Sequence, residues 1–176
     1  MYEEARRYLE AAGFSIQAVV LDAKHGIREV FSDLVIQICQ YHQQQIIRRY
    51  LTAKPMTEAG QELKLLADSL TKIDEKLFTE LLKNWHEKWR GFLTERTYKP
   101  DGKHWWYTHK RIRTAYHSLM TNLPYLFSCQ KYPEMNIPNT NNSLEGYFSK
   151  LKRLLNNHNG LKRWRRYRLI EAILNA

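Results

Sequence analysis

The chain has 176 residues, 43% of them hydrophobic and 12% aromatic, which suits about one domain with a sizeable core and excludes wholesale disorder. Lys and Arg outnumber Asp and Glu by 28 to 18, a balance that favours a polyanionic partner such as DNA, RNA or an anionic membrane surface. Two cysteines make no disulfide framework, no apolar run nears the roughly 20 residues of a membrane span, and MYEEARRYLEAAGF lacks the apolar stretch of a secretory signal, so a cytoplasmic protein without a membrane partner is expected.

In chain order, MYEEARRYLEAA reads as a helix with Gly13 as its terminator. SIQAVVLD follows as a short β-branched apolar run, a buried strand ending at Asp22. A short helix over HGIREVFS leads to a second apolar run, LVIQIC, and this alternation predicts a parallel α/β unit. In such sheets ligand chemistry gathers beyond the carboxyl ends of the strands, which is where Asp22 falls.

From His42 the pattern turns helical. QQQIIRRYL runs towards Pro55, and EAGQELKLLADSL is a second helix. TKIDEKLFTELLKNWHEKWRGFL carries Leu77, Phe78, Leu81, Leu82, Trp85, Trp89, Phe92 and Leu93 on one face, which predicts an amphipathic helix whose tryptophans belong to the core. KPDGK is a turn, and a further helix from about Tyr107 should end at Pro124. Residues 130–141 should form a loop. Two helices, from about Ser143 to Leu155 and from Leu161 to Leu174, close the chain around the breaker NNHNG. The expected domains are an α/β part over residues 1–42, a helical insertion over 43–129, and a loop with basic helices over 130–176. Two strands make a lopsided sheet, marginal by itself.

Three places could carry chemistry. Asp22 after a buried strand is a common position for a metal ligand, although by itself the stretch reads more readily as the N-cap of a helix starting near Lys24. Cys39 and His42 have half the spacing of a structural zinc site, but no second close pair completes one, and a buried cysteine beside a helix-start histidine explains them as well. Glu145 would take the third helical position if Asn142 were the N-cap, as in a capping box. After it come Lys150, Lys152, Arg153, Lys162, Arg163, Arg165, Arg166 and Arg168, interleaved with Tyr147, Phe148, Trp164 and Tyr167. Cations among aromatics suit phosphate contact and base stacking, although a solvated basic face has the same composition. Two carboxylates from separate elements can also bridge divalent ions that neutralise a phosphodiester.

VVLDAKHGIREVFSDLVIQICQYHQQQIIRRYL resembles the middle of a Mutator-type DDE transposase, the group that includes many bacterial insertion-sequence enzymes. NTNNSLEGYFSKLKRLLNNHNGLKR resembles the last block of that family, an asparagine-containing lead-in followed by the catalytic glutamate and a basic helix. The resemblance implies a partial ribonuclease H-like α/β core, two parallel strands with a large all-helical insertion and C-terminal helices, mostly helical by residue count. It implies Asp22 and Glu145 as catalytic residues and ligands of Mg²⁺ or Mn²⁺, with Cys39 and His42 as a signature beside them. Asn141, Asn142, Lys150, Lys152, Arg153, Lys162, Arg163 and Arg166 would meet DNA. Partners would be double-stranded DNA, at element ends and target, and further copies of the chain in an oligomer. No residue here matches the family's first catalytic aspartate, so the expectation is the C-terminal part of a catalytic domain, inactive alone. The rival readings are a non-catalytic basic helical module that binds nucleic acid and a domain with an acidic protein partner.

Overall fold

Gly13 ends the first helix as its place in the sequence suggests. Helix α1 spans Tyr2–Ala11. Gly13 then takes a positive φ of 86°, its N–H donates to the Glu10 carbonyl (3.0 Å), and Phe14 N–H reaches back to Leu9 (3.1 Å). That pair of bonds satisfies two terminal carbonyls, and only the left-handed glycine lets the chain turn back far enough to make them. The computed structural model describes residues 2–23, 26–158 and 160–174. Lys24 and His25, where the sequence places the start of the second helix, lie outside them, as does Asn159 of the breaker.

The chain is α/β and mostly helical, and it divides into two compact units, Met1–Thr140 and Asn141–Ala176. In the first unit, strands β1 (Ala18–Leu21) and β2 (Val35–Ile38) pair in parallel, Ala18 opposite Val35 through Leu21 opposite Ile38, around the one-turn helix α2 (Ile27–Val30). This is the parallel unit expected from the two apolar runs. Its sheet holds two strands, and the helices supply the rest of its support. Helices α3 (Gln40–Leu51), α4 (Glu58–Asp68), α5 (Glu75–Thr94) and α6 (Lys110–Leu126) share a core with Ile38 of β2, through Ile47, Leu63, Phe78, Leu119 and Phe127 among others. Strand and helices therefore form one unit across the boundary expected after residue 42.

A row of buried glutamines locks the strand end to the helices. Gln37 Nε2 donates to the carbonyls of Ile38 (2.7 Å) and Leu126 (2.8 Å), and its Oε1 accepts from Cys129 N–H (2.8 Å). Gln40 Nε2 also donates to Leu126 O (2.8 Å), and Asn122 Nδ2 donates to Gln43 Oε1 (2.8 Å). Leu126 O is a last-turn carbonyl of α6 with no intrahelical partner, so two side-chain amides satisfy a group that burial would otherwise leave costly. Side-chain caps start two other helices: Thr57 Oγ1 accepts from Gly60 N–H (3.2 Å), and Asp74 Oδ1 from Leu77 N–H (2.8 Å).

Four expectations need correction. The insertion is not all helical, because β3 (Arg96–Tyr98) and β4 (Trp105–Tyr107) form an antiparallel hairpin about the KPDGK turn. Pro124 does not end α6. It sits in the last turn, three residues before the C-cap Phe127. On α5 the buried stripe follows Phe78, Leu82, Trp85 and Leu93, while Leu77 and Leu81, one position to the side, are exposed. Residues 130–141 are not all loop: α7 (Ser128–Lys131) and a 3₁₀ turn (Pro133–Met135) occupy part of the stretch. Trp85 and Trp89 are structural as expected, their indole N–H groups donating to Ala59 O (3.1 Å) and Glu62 Oε2 (2.7 Å).

The second unit consists of α8 (Asn142–Asn156) and α9 (Arg163–Leu174), joined through Gly160 at φ 89°. Among the described residues, no helix is long and apolar enough to cross a membrane.

Candidate functional site

β1 delivers Asp22 to the carboxyl end of the sheet. The last rung of the ladder is Cys39 N–H to Leu21 O (2.9 Å), after which β2 passes directly into α3. His42 stands in the first turn of α3, and its Nδ1 lies 3.0 Å from Asp22 Oδ1, with both side chains about one-third exposed. The carboxylate thus stands at a strand end and within ion-pair distance of an imidazole. It also stands by the positive end of a 12-residue helix, which favours an anion. Ala23, the next residue, borders a cleft of about 380 Å³ between α3 and α6, whose walls carry Arg49, Thr114, His117 and Ser118. Burial, and then the charges of Arg113 and His86, hold the His117 ring below the ordinary histidine range.

The capping role considered for Asp22 is not what the structure has. The N-cap of α2 is Gly26, four residues on. Cys39 is fully buried at the N-cap of α3, and among the described residues it joins no group of three metal-ligating side chains. Its backbone continues the sheet. Asn139 is tied to the same turn: its carbonyl accepts from Gln40 N–H (2.9 Å) and its Nδ2 donates to Gln40 Oε1 (3.2 Å).

In the second unit the N-cap of α8 is Asn141, not Asn142, and Asn141 makes no side-chain cap bond. Glu145 therefore falls at the fourth helical position, one beyond the reciprocal place of a capping box, and its N–H bonds to Asn141 O (3.0 Å). Of the other expected contact residues, Asn142, Lys150, Lys152, Arg153, Lys162, Arg163 and Arg166 are all exposed, and Asn141 is half-buried. Arg163 donates twice to Tyr167 Oη (3.2 Å each), and Arg165 and Arg168 lie 5.1 and 5.3 Å from the centre of the Trp164 ring. Cations and aromatic rings are interleaved on α9 in space as in sequence.

Sequence reasoning missed the hairpin as a feature of chemistry. Arg96 stands over Trp105 at 4.0 Å, and Arg113 over Tyr107 at 4.0 Å. The available signal was two short aromatic-rich runs, RTY and WWY, flanking a Pro-Asp-Gly turn. No protein-family model, no curated protein and no solved structure matches this chain.

Proposed function

We propose that this chain is part of a metal-dependent enzyme that cuts and joins DNA strands, of the DDE transposase type, with β1, α2 and β2 as a piece of a ribonuclease H-like core. The observation that carries the reading is the carboxylate of Asp22, held at the carboxyl end of a parallel strand and 3.0 Å from His42. Strand ends are rigid, the loop beyond them is open, and the cleft beside Ala23 leaves room for a ligand. Glu145 stands at the fourth position of α8, outside the reciprocal place of a capping box. Asn139 is bonded to Gln40, and the six residues from there to Glu145 (145 − 139) reach at most ~20 Å, a tether short enough for Glu145 to join Asp22.

Asp22 and Glu145 would hold Mg²⁺ or Mn²⁺, hard cations that take carboxylate oxygens and keep several waters. Once bound, such ions supply Lewis-acid stabilisation of the attacking and leaving oxygens of a phosphodiester. The protein's own tasks are separate. His42 orients the Asp22 carboxylate, and the exposed cations Lys150, Lys152 and Arg153 hold the duplex backbone without reading its sequence. A site of this type takes a third carboxylate besides Asp22 and Glu145, and copies of the chain would pair element ends with target.

A second reading is favoured by the second unit taken alone, which exposes eight cations against two carboxylates, Glu145 and Glu171. That composition suits a non-catalytic module binding nucleic acid. Duplex binding in Mg²⁺ and in EDTA separates the two. The enzyme reading expects Mg²⁺ to tighten binding, and Asp22→Asn or Glu145→Gln to abolish that gain. An affinity indifferent to Mg²⁺ and to both substitutions leaves the module.

A further inference from the structure

The β3–β4 hairpin belongs to no part of the proposed metal site, yet it is the most chemically loaded exposed surface of the first unit. Its turn is well built. Lys99 O accepts from Gly102 N–H (2.9 Å), Gly102 takes a φ of 65°, and Asp101 Oδ1 accepts from the N–H groups of Lys103 (3.0 Å) and His104 (3.2 Å). The register places Arg96 opposite Tyr107 and Tyr98 opposite Trp105, so these four side chains share one face. On that face charges and rings alternate. Arg113 lies over Tyr107, Arg96 lies over Trp105, and Trp105 meets Tyr107 edge-on with centroids 5.3 Å apart.

This ladder accounts for the order of a hairpin with only three residues per strand. It does not account for the rings that stay in water. Tyr98, Trp105 and Trp106 are 56%, 42% and 46% exposed, an expensive way to leave large aromatics unless something covers them. The local charge says what that is. Residues 95–113 hold six cations, Arg96, Lys99, Lys103, Lys110, Arg111 and Arg113, and two acids. Both acids are engaged internally, Glu95 with His109 (2.9 Å) and Asp101 with His104 (2.8 Å). The hydrogen bond from His104 holds the Asp101 carboxyl below its usual range, so it stays ionised and satisfied.

We propose that this face binds single-stranded nucleic acid, with unpaired bases stacked on Tyr98 and Trp105 and the phosphates between them met by Arg96, Lys99 and Lys103. An acidic peptide would pair with the cations and leave the rings uncovered. A duplex offers phosphates, but its bases are already stacked. Unpaired strands alone present π faces and regular negative charge together. The surface uses neither Asp22 nor Glu145, so this proposal and the metal-site reading can fail separately.

The test uses the full chain with dT12 and rU12 oligomers, followed by fluorescence anisotropy and by quenching of tryptophan emission. Binding with quenching is expected, and the tighter of the two oligomers identifies DNA or RNA as the ligand. Tyr98→Leu removes the ring but keeps an apolar side chain at an exposed position, and Trp105→Ala removes the central ring; each should weaken binding by ~10-fold, the scale of one lost base stack. Because Trp105→Ala also strips the ladder, the unaltered chain is probed as well, by photo-crosslinking an oligomer carrying 5-iododeoxyuridine. Crosslinks within residues 96–107 support the proposal. Failure to bind either oligomer, unchanged affinity in Tyr98→Leu, or crosslinks confined to Tyr147, Phe148, Trp164 and Tyr167 would overturn it.

Discussion

Residues 2–140 and residues 141–174 rest on different foundations. The first unit contains every buried hydrophobic side chain of the described residues except Leu151 and Leu155. It also buries polar groups in matched pairs, the glutamines of β2 and α3 against the end of α6. The second unit buries almost nothing, and α9 has no buried residue at all, while seven cations crowd its two helices and Lys162 precedes α9. A core that dense specifies geometry, as a fixed carboxylate requires. A surface that basic suits a polyanionic partner. Under the proposed function the two units would divide the work of precision and attraction between them.

If that division is right, damage to the first unit should register as lost stability and damage to the second as lost binding. Phe78→Ala, at a fully buried position, is expected to cost about 3–5 kcal/mol in urea denaturation, whereas Trp164→Ala on α9 should stay within about 0.5 kcal/mol. Comparable losses would erase the contrast. Gln37→Ala is expected to cost about 2 kcal/mol, since Leu126 O loses one of its donors and Cys129 N–H loses its acceptor in a buried place. A neutral result there would mean that packing alone joins β2 to α6.

The pH response sharpens the comparison further. His117 is held below its ordinary value of 6.5, so the folded chain resists protonation there more than the unfolded chain does. The unfolded state takes up the proton first, and stability should fall as pH drops through 6.5. Melting temperatures at pH 7.5 and 5.5 should differ less for His117→Gln than for the parent. For the second unit the smallest effect concerns salt. Replacing Lys152 with Gln should weaken duplex binding uniformly across sequences and make the salt slope shallower by about 0.9 for the lost phosphate contact. An unchanged slope would mean that Lys152 faces no backbone.

Much of this was legible in the sequence for particular reasons. Brevity and β-branching marked both parallel strands, and Gly13 is a helix-end residue whose bonds are now in place. The hairpin was not legible because three-residue strands are too short for alternation to show, and because WWY next to a helix start looks like part of that helix. Pro124 misled because so near the helix end its ring and missing N–H disturb a single intrahelical bond, the one to the Met120 carbonyl, and the chain can continue for two residues beyond it. The buried glutamines are invisible to hydropathy, since the burial of Gln37 and Gln40 depends on a carbonyl, Leu126 O, nearly ninety residues away. Of the candidate site, the strand end placed Asp22. Its approach to His42 followed from the register of β1 against β2, which no local pattern encodes.

The central claim is that Asp22 and Glu145 share a cation, and a Mn²⁺ titration of the full chain tests it most directly. Binding is followed by water-proton relaxation in the parent, Asp22→Asn, Glu145→Gln and the double variant. A shared ion predicts that each single substitution removes the same site and that the double variant loses nothing more. Losses that add, or a parent chain that binds no Mn²⁺ at millimolar concentration, would contradict it.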